Sequence, residues 1–462
     1  MQSATTRPNI DQAQQVCISC KAQKRRCNKA LPRCSYCTRR NWSCKYHPSD
    51  EIRTSTLASE HVWDIVPVPN EIADIQSLDF PSMLFLDPNL LQHGQIEIPR
   101  PTPPVPAHVL QLLGDLNQVH ITADKFFEFT HAWMPFISKK RFYDIHLKPS
   151  YQSRPDVVLL FLSLKLITTL PPTSPRNPRT SLYHAVKHYY LEVEGSSTFS
   201  IPVLQAGILL ALYELGHAIY PAAYLSIGAC ARYAHALGIN GSGTMVTTRV
   251  TTLVEVEERR RVWWVIVIID RFVNIGCPGR PFATSRPTLD DLLPADDAEW
   301  DQGMVRTDDS STLLSPMSTH MSKFSLLCQA ARLLDQVLCY MSCDDGKDDD
   351  RWMQLERTLQ SMLTVSMSRH EYALATFHTI TETITANLVQ KRCFVDRDPE
   401  STSPWGLYCV YRICASFLRD ENEPESKAMM AKLKESFYTV DRRWNAAGVY
   451  LQLLEAREVM KG

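Results

Sequence analysis

Six cysteines, Cys17, Cys20, Cys27, Cys34, Cys37 and Cys44, are the residues of this 462-residue chain whose type and spacing can do chemistry together. They read C-x2-C-x6-C twice, with six residues between the halves, so the stretch is an internal repeat. An x2 gap lets two thiolates grip one side of a metal ion, and an x6 run holds about a turn and a half of helix before the third ligand returns. Tetrahedral zinc takes four ligands, so one half alone is a sulfur short. Two halves offer six sulfurs where two separate zincs need eight, and the shortage disappears if two sulfurs serve both ions. The spacing therefore implies a binuclear thiolate cluster with two zinc ions per chain.

The charge around the cysteines is one-sided. Lys21, Lys24, Arg25, Arg26, Lys29, Arg33, Arg39, Arg40 and Lys45 are cationic, and no Asp or Glu occurs from Gln12 to Ser49. Two zincs and six thiolates together carry −2, which leaves the nine cations of the folded unit near +7. A compact cationic knob is the electrostatic footprint of a nucleic-acid binder, because neutralising phosphates releases counterions. Removing those nine cations from the chain's 49 leaves 40 Lys and Arg against 50 Asp and Glu, so the remainder sits near −10 and does not seek nucleic acid.

These residues resemble the fungal Zn2Cys6 binuclear-cluster transcription factors. The likeness covers every cysteine of the repeat, the basic run KAQKRRC from Lys21 to Cys27, and the loop proline Pro32. It implies that Cys17 and Cys34 bridge the two metals and that the helix after the second cysteine enters the major groove of double-stranded DNA at a CGG-type triplet. By position, Lys24 matches the family's base-reading lysine, in keeping with lysine's fit to guanine O6 and N7. Gln23 sits where many members carry another basic residue. Lys21, Arg25, Arg26, Arg39 and Arg40 read as phosphate contacts, which position the protein without specifying sequence.

The elements that must present this unit follow in order. Residues 12–47 are expected to form the DNA-binding domain, 48–106 a flexible acidic and proline-rich linker, and 107–462 a large all-α regulatory domain. In the linker, Glu60, Asp64, Glu71, Asp74, Asp79, Asp87 and Glu97 interleave with Trp63, Ile65, Leu78, Phe80, Leu84, Phe85 and Leu86. That pattern suits either an activation segment that contacts transcription machinery or co-regulators, or a plain linker lying against the larger domain, and the plain linker is favoured. RPTPPVP, from Arg100 to Pro106, closes it as a stiff spacer. No sustained a/d repeat runs between Lys45 and Arg100, so the coiled coil that sets dimer geometry in many members is missing from that stretch, although a homodimer remains among the partners.

Beyond Ala107 the periodicity is helical. Val109, Leu110, Leu113 and Leu116 open one amphipathic helix, and Phe126, Phe127, Phe129, Trp133 and Phe136 form an aromatic cluster. Later helices are predicted over Val157–Leu170, Ser181–Glu194, Val203–Ile219, Ala222–Leu237, Val254–Val273, His320–Ser342, Trp352–Arg369, Glu371–Lys391, Trp405–Arg419 and Lys427–Glu455. YLSIGACARYAHALGIN (Tyr224–Asn240) and EERRRVWWVIVIIDR with its trailing GRP (Glu257–Pro281) resemble the family's regulatory region. In the second block, Arg260, Arg261, Asp270 and Arg271 are expected to form a buried ion network around Trp263 and Trp264, more as paired core charges than as a ligand-sensing site. The stripe Met430, Leu433, Phe437, Val440, Trp444, Ala447, Leu451 and Leu454 on the last helix is expected to seal its own domain rather than pair with a second chain, with Gly448 interrupting the helix.

Other chemistries are weaker. His184 and His188 lie four apart on one face, but no third ligand is evident and an ordinary histidine pair is the better reading. Cys339 and Cys343 read as buried thiols. No G-x-G-x-x-G, G-x-x-x-x-G-K-[ST] or G-x-S-x-G occurs, so catalytic residues are not expected and the chain reads as no enzyme. Met1–Gln15 lacks an apolar signal segment, no apolar run is long enough for a bilayer, and the cysteines show no disulfide framework. A protein of a reducing compartment is expected, and the basic run Lys21–Arg26 can act as a nuclear-import signal, which points to the nucleus. The sequence thus reads as a sequence-specific DNA-binding regulator of RNA polymerase II genes, with the resemblance suggesting a fungal secondary-metabolite gene cluster. The alternative is a zinc-stabilised protein-interaction cofactor that does not touch DNA.

Overall fold

The computed structural model describes residues 16–46, 104–150, 153–174, 176–196, 198–240, 252–305, 311–315, 321–342, 350, 353–358, 400, 402–418 and 424–460. The linker 48–103, the predicted helix Glu371–Lys391 and Cys343 lie outside them. The chain divides into two compact units, residues 1–75 and 76–462.

The first unit contains two short helices, α1 (Ile18–Ala22) and α2 (Ser35–Arg40). Its buried apolar residues are Cys17, Cys20, Cys34 and Cys37, with Cys27, Cys44, Tyr36 and Tyr46 partly buried against them. A module with sulfur in place of a hydrocarbon core has little to offset its chain entropy, so its fold depends on what the sulfurs hold.

The second unit is helical. Its main helices are α3 (Ala107–Leu113), α4 (Leu116–Lys125), α5 (Pro155–Thr168), α6 (Ser181–Gly195), α7 (Ile201–Gly216), α8 (Ala222–Ala236), α9 (Leu253–Asn274), α10 (Asp297–Asp301), α11 (Lys323–Ser342), α12 (Leu407–Phe417), α13 (Pro424–Asp441) and α14 (Asn445–Val459). Among the described residues there is no strand, and Leu292 and Thr312 form an isolated bridge. No helix among them is long and apolar enough to cross a membrane.

α5 and α7 sit at the centre because they are apolar on every face. Val157–Leu162 and Ile208–Leu212 are all buried, the mark of helices wrapped by others. Each buried Leu, Ile or Val there contributes about 1.5–3 kcal/mol of transfer free energy. α7 packs on α5, α6, α8 and α9, and α9 in turn reaches α11.

Two of the predicted helices are each broken in two. The opening helix is two helices, because Gly114 takes φ +87° and Asp115 then caps α4, its carboxylate accepting from Gln118 N at 2.9 Å. The last helix also breaks, not at Gly448 but at Trp444, whose extended backbone (φ −120°, ψ 105°) starts α14. α13 and α14 form an antiparallel hairpin: Lys434 pairs with Glu458 at 2.5 Å, the rings of Phe437 and Tyr450 lie 6.4 Å apart, and Asp441 accepts from Gly448 N at 2.9 Å. Breaking the helix lets Trp444 turn inward, where it is fully buried, while Leu433, Phe437, Val440, Ala447, Leu451 and Leu454 still enter the domain core as the stripe requires.

Trp444 demands a glycine opposite. A Cβ on Gly216, the last residue of α7, would lie 2.2 Å from Trp444 Cε3. Gly216→Ala gains at most about 1 kcal/mol in helix propensity but forces an overpacked core at about 1–3 kcal/mol. We expect a net loss of stability, read as a lower urea midpoint with unchanged m-value.

The charges of α9 form two networks rather than one ring around Trp263 and Trp264. At its first half Arg261, fully buried, donates Nε to Glu257 (2.9 Å), Nη1 to Asp297 (2.9 Å) and Pro135 O (3.1 Å), and Nη2 to Ala295 O (2.8 Å). Its guanidinium also lies 4.1 Å from the Trp300 ring centre, and Arg260 closes on Glu257 at 2.6 Å. At the other end Arg271 donates to Asp335 (2.8 Å), Asp270 (2.8 Å), Thr284 (2.6 Å) and Ser285 O (3.0 Å). Roughly three helical turns separate the two arginines, which is why one cluster cannot serve both. Trp264 joins neither: its Nε1 donates to Leu292 O at 2.9 Å. The networks tie α9 to the loops at Pro135, Ala295 and Thr284, a structural use that the partners Glu257, Asp297 and Asp335 complete. Sequence reasoning missed all three: Glu257 lies one turn before Arg261 and could have been found from that spacing, whereas nothing local points from Arg261 to Asp297 or from Arg271 to Asp335, 64 positions away.

Candidate metal centre and nucleic-acid interface

Each half of the cysteine repeat builds the same local structure. Cys17 is the N-cap of α1 and its Sγ accepts from Cys20 N at 3.5 Å; Cys34 caps α2 and accepts from Cys37 N at 3.4 Å. The x2 gap is thus a helix cap made by sulfur, and a thiolate there is favoured by the helix dipole. The helix therefore starts right after the first cysteine and carries the second, instead of occupying the x6 run as expected. α1 stops at Ala22 and α2 at Arg40. Just beyond each helix one residue turns left-handed: Lys24 (φ 51°) and Asn41 (φ 55°), the same position 17 residues apart in the repeat. That turn brings Cys27 and Cys44 back to the centre.

The sulfurs meet in two groups of four, Cys17, Cys20, Cys27, Cys34 and Cys17, Cys34, Cys37, Cys44, each within 4.8 Å. Cys17 and Cys34 belong to both. Zinc–thiolate bonds of about 2.3 Å place tetrahedral sulfurs about 3.8 Å apart. The observed separations are 3.7 Å for Cys17–Cys34, Cys20–Cys34 and Cys17–Cys37, and 3.8 Å for Cys27–Cys17. A 3.9 Å contact between Cys20 and Cys37 joins the groups. The donor set fits two tetrahedral thiophilic ions that share an edge. Among the described residues these are the only groups of His, Cys, Asp or Glu placed to hold a metal, and His184 and His188 form none.

Without a cation such crowded sulfurs resist ionising. Burial pushes the Cys37 thiol up to about 12 and raises Cys17 and Cys20 as well. Burial opposes ionisation of Cys34 too, but the backbone N–H of Cys37 and the surrounding thiols outweigh it and bring Cys34 down to about 6. Metal entry must displace protons here, so metal affinity falls with acid.

The surrounding frame includes residues that the spacing did not single out. Asn28 clasps the second half, its Nδ2 donating to Ser35 Oγ (2.6 Å) and its Oδ1 accepting from Ser35 N (2.9 Å). Tyr46 donates to Ala30 O (3.0 Å) with its oxygen 3.9 Å from Cys27 Sγ, and Ile18 N donates to Lys45 O (2.8 Å), closing the module. Single polar residues such as Asn28 carry no periodic signal, so only the fold reveals them.

The cationic residues lie outside this shell. Lys21, Gln23, Lys24, Arg25 and Arg26 are all exposed at and beyond the end of α1, and Arg39 and Arg40 are exposed at the end of α2. Arg33 is exposed as well and donates to Trp42 O at 2.7 Å, and Arg39 Nε reaches Ser35 O at 3.3 Å. Lys24 and Lys29 are the two cations of the module with a left-handed backbone (φ 51° and 58°), and of these Lys24 is the exposed one, just beyond the end of α1.

Residues 15–51 match the fungal Zn(2)-Cys(6) binuclear cluster domain, and residues 123–380 match the fungal specific transcription factor domain. The chain belongs to the fungal Zn2Cys6 transcription factor family. It is a DNA-binding transcription regulator, and the first match implies zinc binding. Among its relatives is a protein of Botryotinia fuckeliana, Transcription factor BOA15, 38% identical over 156 residues that make up 34% of this chain and 85% of that relative. The Pigment biosynthesis transcriptional activator pigB of Monascus ruber is 22% identical over 57% of this chain and 48% of its own length. Transcription factor tazR of Aspergillus terreus is 23% identical over 50% and 38%, so the chain spans about half or less of these two longer relatives. No solved structure matches the chain. The family is one of regulators rather than enzymes.

Proposed function

We propose that this regulator holds two zinc ions per chain on Cys17, Cys20, Cys27, Cys34, Cys37 and Cys44, with Cys17 and Cys34 bridging, and reads CGG-like triplets through Lys24. The observation that carries the reading is the pair of four-sulfur groups sharing Cys17 and Cys34 beneath a surface of exposed, uncompensated cations. Residues 12–47 form the reading unit, 48–106 the linker and 107–462 the regulatory unit. Gln23 stands beside Lys24 at the groove, while Lys21, Arg25, Arg26, Arg39 and Arg40 hold phosphates. The protein acts in the nucleus on RNA polymerase II genes, alone or as a homodimer, through co-regulators or the transcription machinery. A relative described as a pigment biosynthesis activator supports a metabolite gene cluster as the target.

Selection of bound sequences from a random DNA pool tests the reading, since it reports triplet, spacing and symmetry together. Lys24→Ala is expected to cost about 1–3 kcal/mol on the preferred triplet and to relax that preference. Arg25→Ala is expected to weaken all sequences alike and to reduce the salt slope of log K by about 1. A zinc-loaded chain that enriches no sequence and whose binding ignores salt would leave the protein-interaction alternative in its place.

A further inference from the structure

We infer that the helical unit contains a buried binding site for an aromatic carboxylate, formed by His217, Thr402 and Arg443 with Trp133, Trp405 and Trp444. The six side chains are one patch of the core. The Arg443 guanidinium lies 4.1 Å from the Trp444 ring centre, the His217 ring lies 5.5 Å from that indole, and the Trp133 ring lies 6.4 Å from it. Trp405 follows at 5.9 Å from Trp133, and Trp444 Nε1 donates to Thr402 O at 2.6 Å. His217, Thr402 and Arg443 are 1, 6 and 3% exposed.

Five buried polar atoms of this patch have no hydrogen-bond partner: Trp133 Nε1, Trp405 Nε1, His217 Nε2, Arg443 Nη1 and Thr402 Oγ1. Orphaned buried donors are rare, and five in one patch call for a common acceptor. Their chemistry is one-sided. His217 Nδ1 accepts from Asn445 N at 3.3 Å, so in the neutral ring Nε2 carries the proton and donates. Burial, with the Arg443 and Arg176 charges behind it, lowers the pKa of His217 to about 3, which keeps the ring neutral. Four N–H groups and one hydroxyl therefore want an acceptor, and no acceptor atom but the hydroxyl is among them.

Charge selects the kind of acceptor. Among the described residues the other two buried arginines each bond two carboxylates: Arg261 holds Glu257 and Asp297, and Arg271 holds Asp270 and Asp335. Arg443 bonds none. Its Nη2 donates to Ile167 O, and Glu400, the carboxylate whose charge reaches it, is ion-paired with Lys125 at 2.6 Å. Ordered water can satisfy neutral donors but leaves a buried guanidinium without a counter-charge. An anion supplies both. The Trp133 and Trp405 indoles that carry two of these donors, and the Trp444 ring beside them, favour an aromatic body through offset or edge contacts.

The test is calorimetric titration of the full zinc-loaded chain, without DNA, with benzoate and 2-naphthoate as probes and 2-naphthamide as the uncharged control. At least one carboxylate is expected to bind saturably at one per chain, about 10-fold or more tighter than the amide. Arg443→Met is expected to abolish the binding. Because that variant can lose its fold, Thr402→Val, which keeps shape, and Trp405→Phe, which shortens the ring at a half-buried position, serve beside it; each removes an unpaired donor and is expected to weaken binding several-fold. Absence of saturable binding by both acids, equal affinity for the amide, or unchanged affinity in both Thr402→Val and Trp405→Phe overturns the site and leaves buried water as the partner of these atoms. DNA affinity is not read, so failure of the DNA-reading proposal leaves this outcome intact.

Discussion

Cys34→Ala is expected to abolish DNA binding and to leave the amino-terminal unit unfolded. Cys34 is in both four-sulfur groups, fully buried, and caps α2. Its loss takes a ligand from each proposed zinc and the cap from a six-residue helix, which is far too short to persist alone. Structural zinc contributes about 10–16 kcal/mol of apparent binding free energy in small modules, more than a unit with no apolar core can replace. Cys27 belongs to one group only and is partly exposed, so Cys27→Ala should release one zinc more readily than two. Native mass spectrometry of the full chain counts the ions, and a binding titration on the selected DNA site reads the function. Far-UV helicity, dominated by the larger unit, checks that the rest of the chain stays folded. Wild-type levels of zinc and DNA binding in Cys34→Ala would remove Cys34 from the bridging position. A chelator should reproduce the variant, and added zinc should reverse the chelator but not the variant.

The second large effect is expected from Arg261→Met, at about 3–5 kcal/mol of lost stability. Methionine fills much of the same volume, so packing accounts for little of the loss. The cost comes from Glu257, which is fully buried and accepts from Arg261 and Ala295 N, and from Asp297, both left without their guanidinium. Arg260 can still reach Glu257 from its partly exposed position, so its carboxylate keeps one partner. Arg260→Ala is expected to cost about 1 kcal/mol or less, because that pair faces solvent on one side. Urea unfolding followed by far-UV circular dichroism separates the two. A loss below about 1 kcal/mol for Arg261→Met would show that the network is spectator to the fold. Adding Glu257→Gln to Arg261→Met should recover part of the loss, since it withdraws the stranded charge.

The contrast between the two units explains what could be read in advance. In the first, chemistry and spacing coincide: a sulfur three residues before the next amide caps a helix, and a left-handed turn at Lys24 and again at Asn41 returns the third sulfur. Local geometry alone makes that pattern, so the repeat announced the centre and the cationic run announced its surface. In the second unit, periodicity located the helices that the described residues contain, because burying an apolar face is a local rule; Glu371–Lys391 and all but 353–358 of Trp352–Arg369 lie outside those residues. Breaks at Gly114 and Trp444 went unread, for the apolar spacing continues across both.

By itself, then, the sequence determined the six sulfurs, their division into equivalent halves, the basic surface and an all-helical companion. Only the tertiary structure decided which charges meet. Arg271 finds Asp335, Arg261 finds Asp297, and Arg443 finds no carboxylate although it is nearly as buried. Those outcomes depend on where the loops and the α13–α14 hairpin return to the core, and contacts of that range leave no periodic trace in the chain.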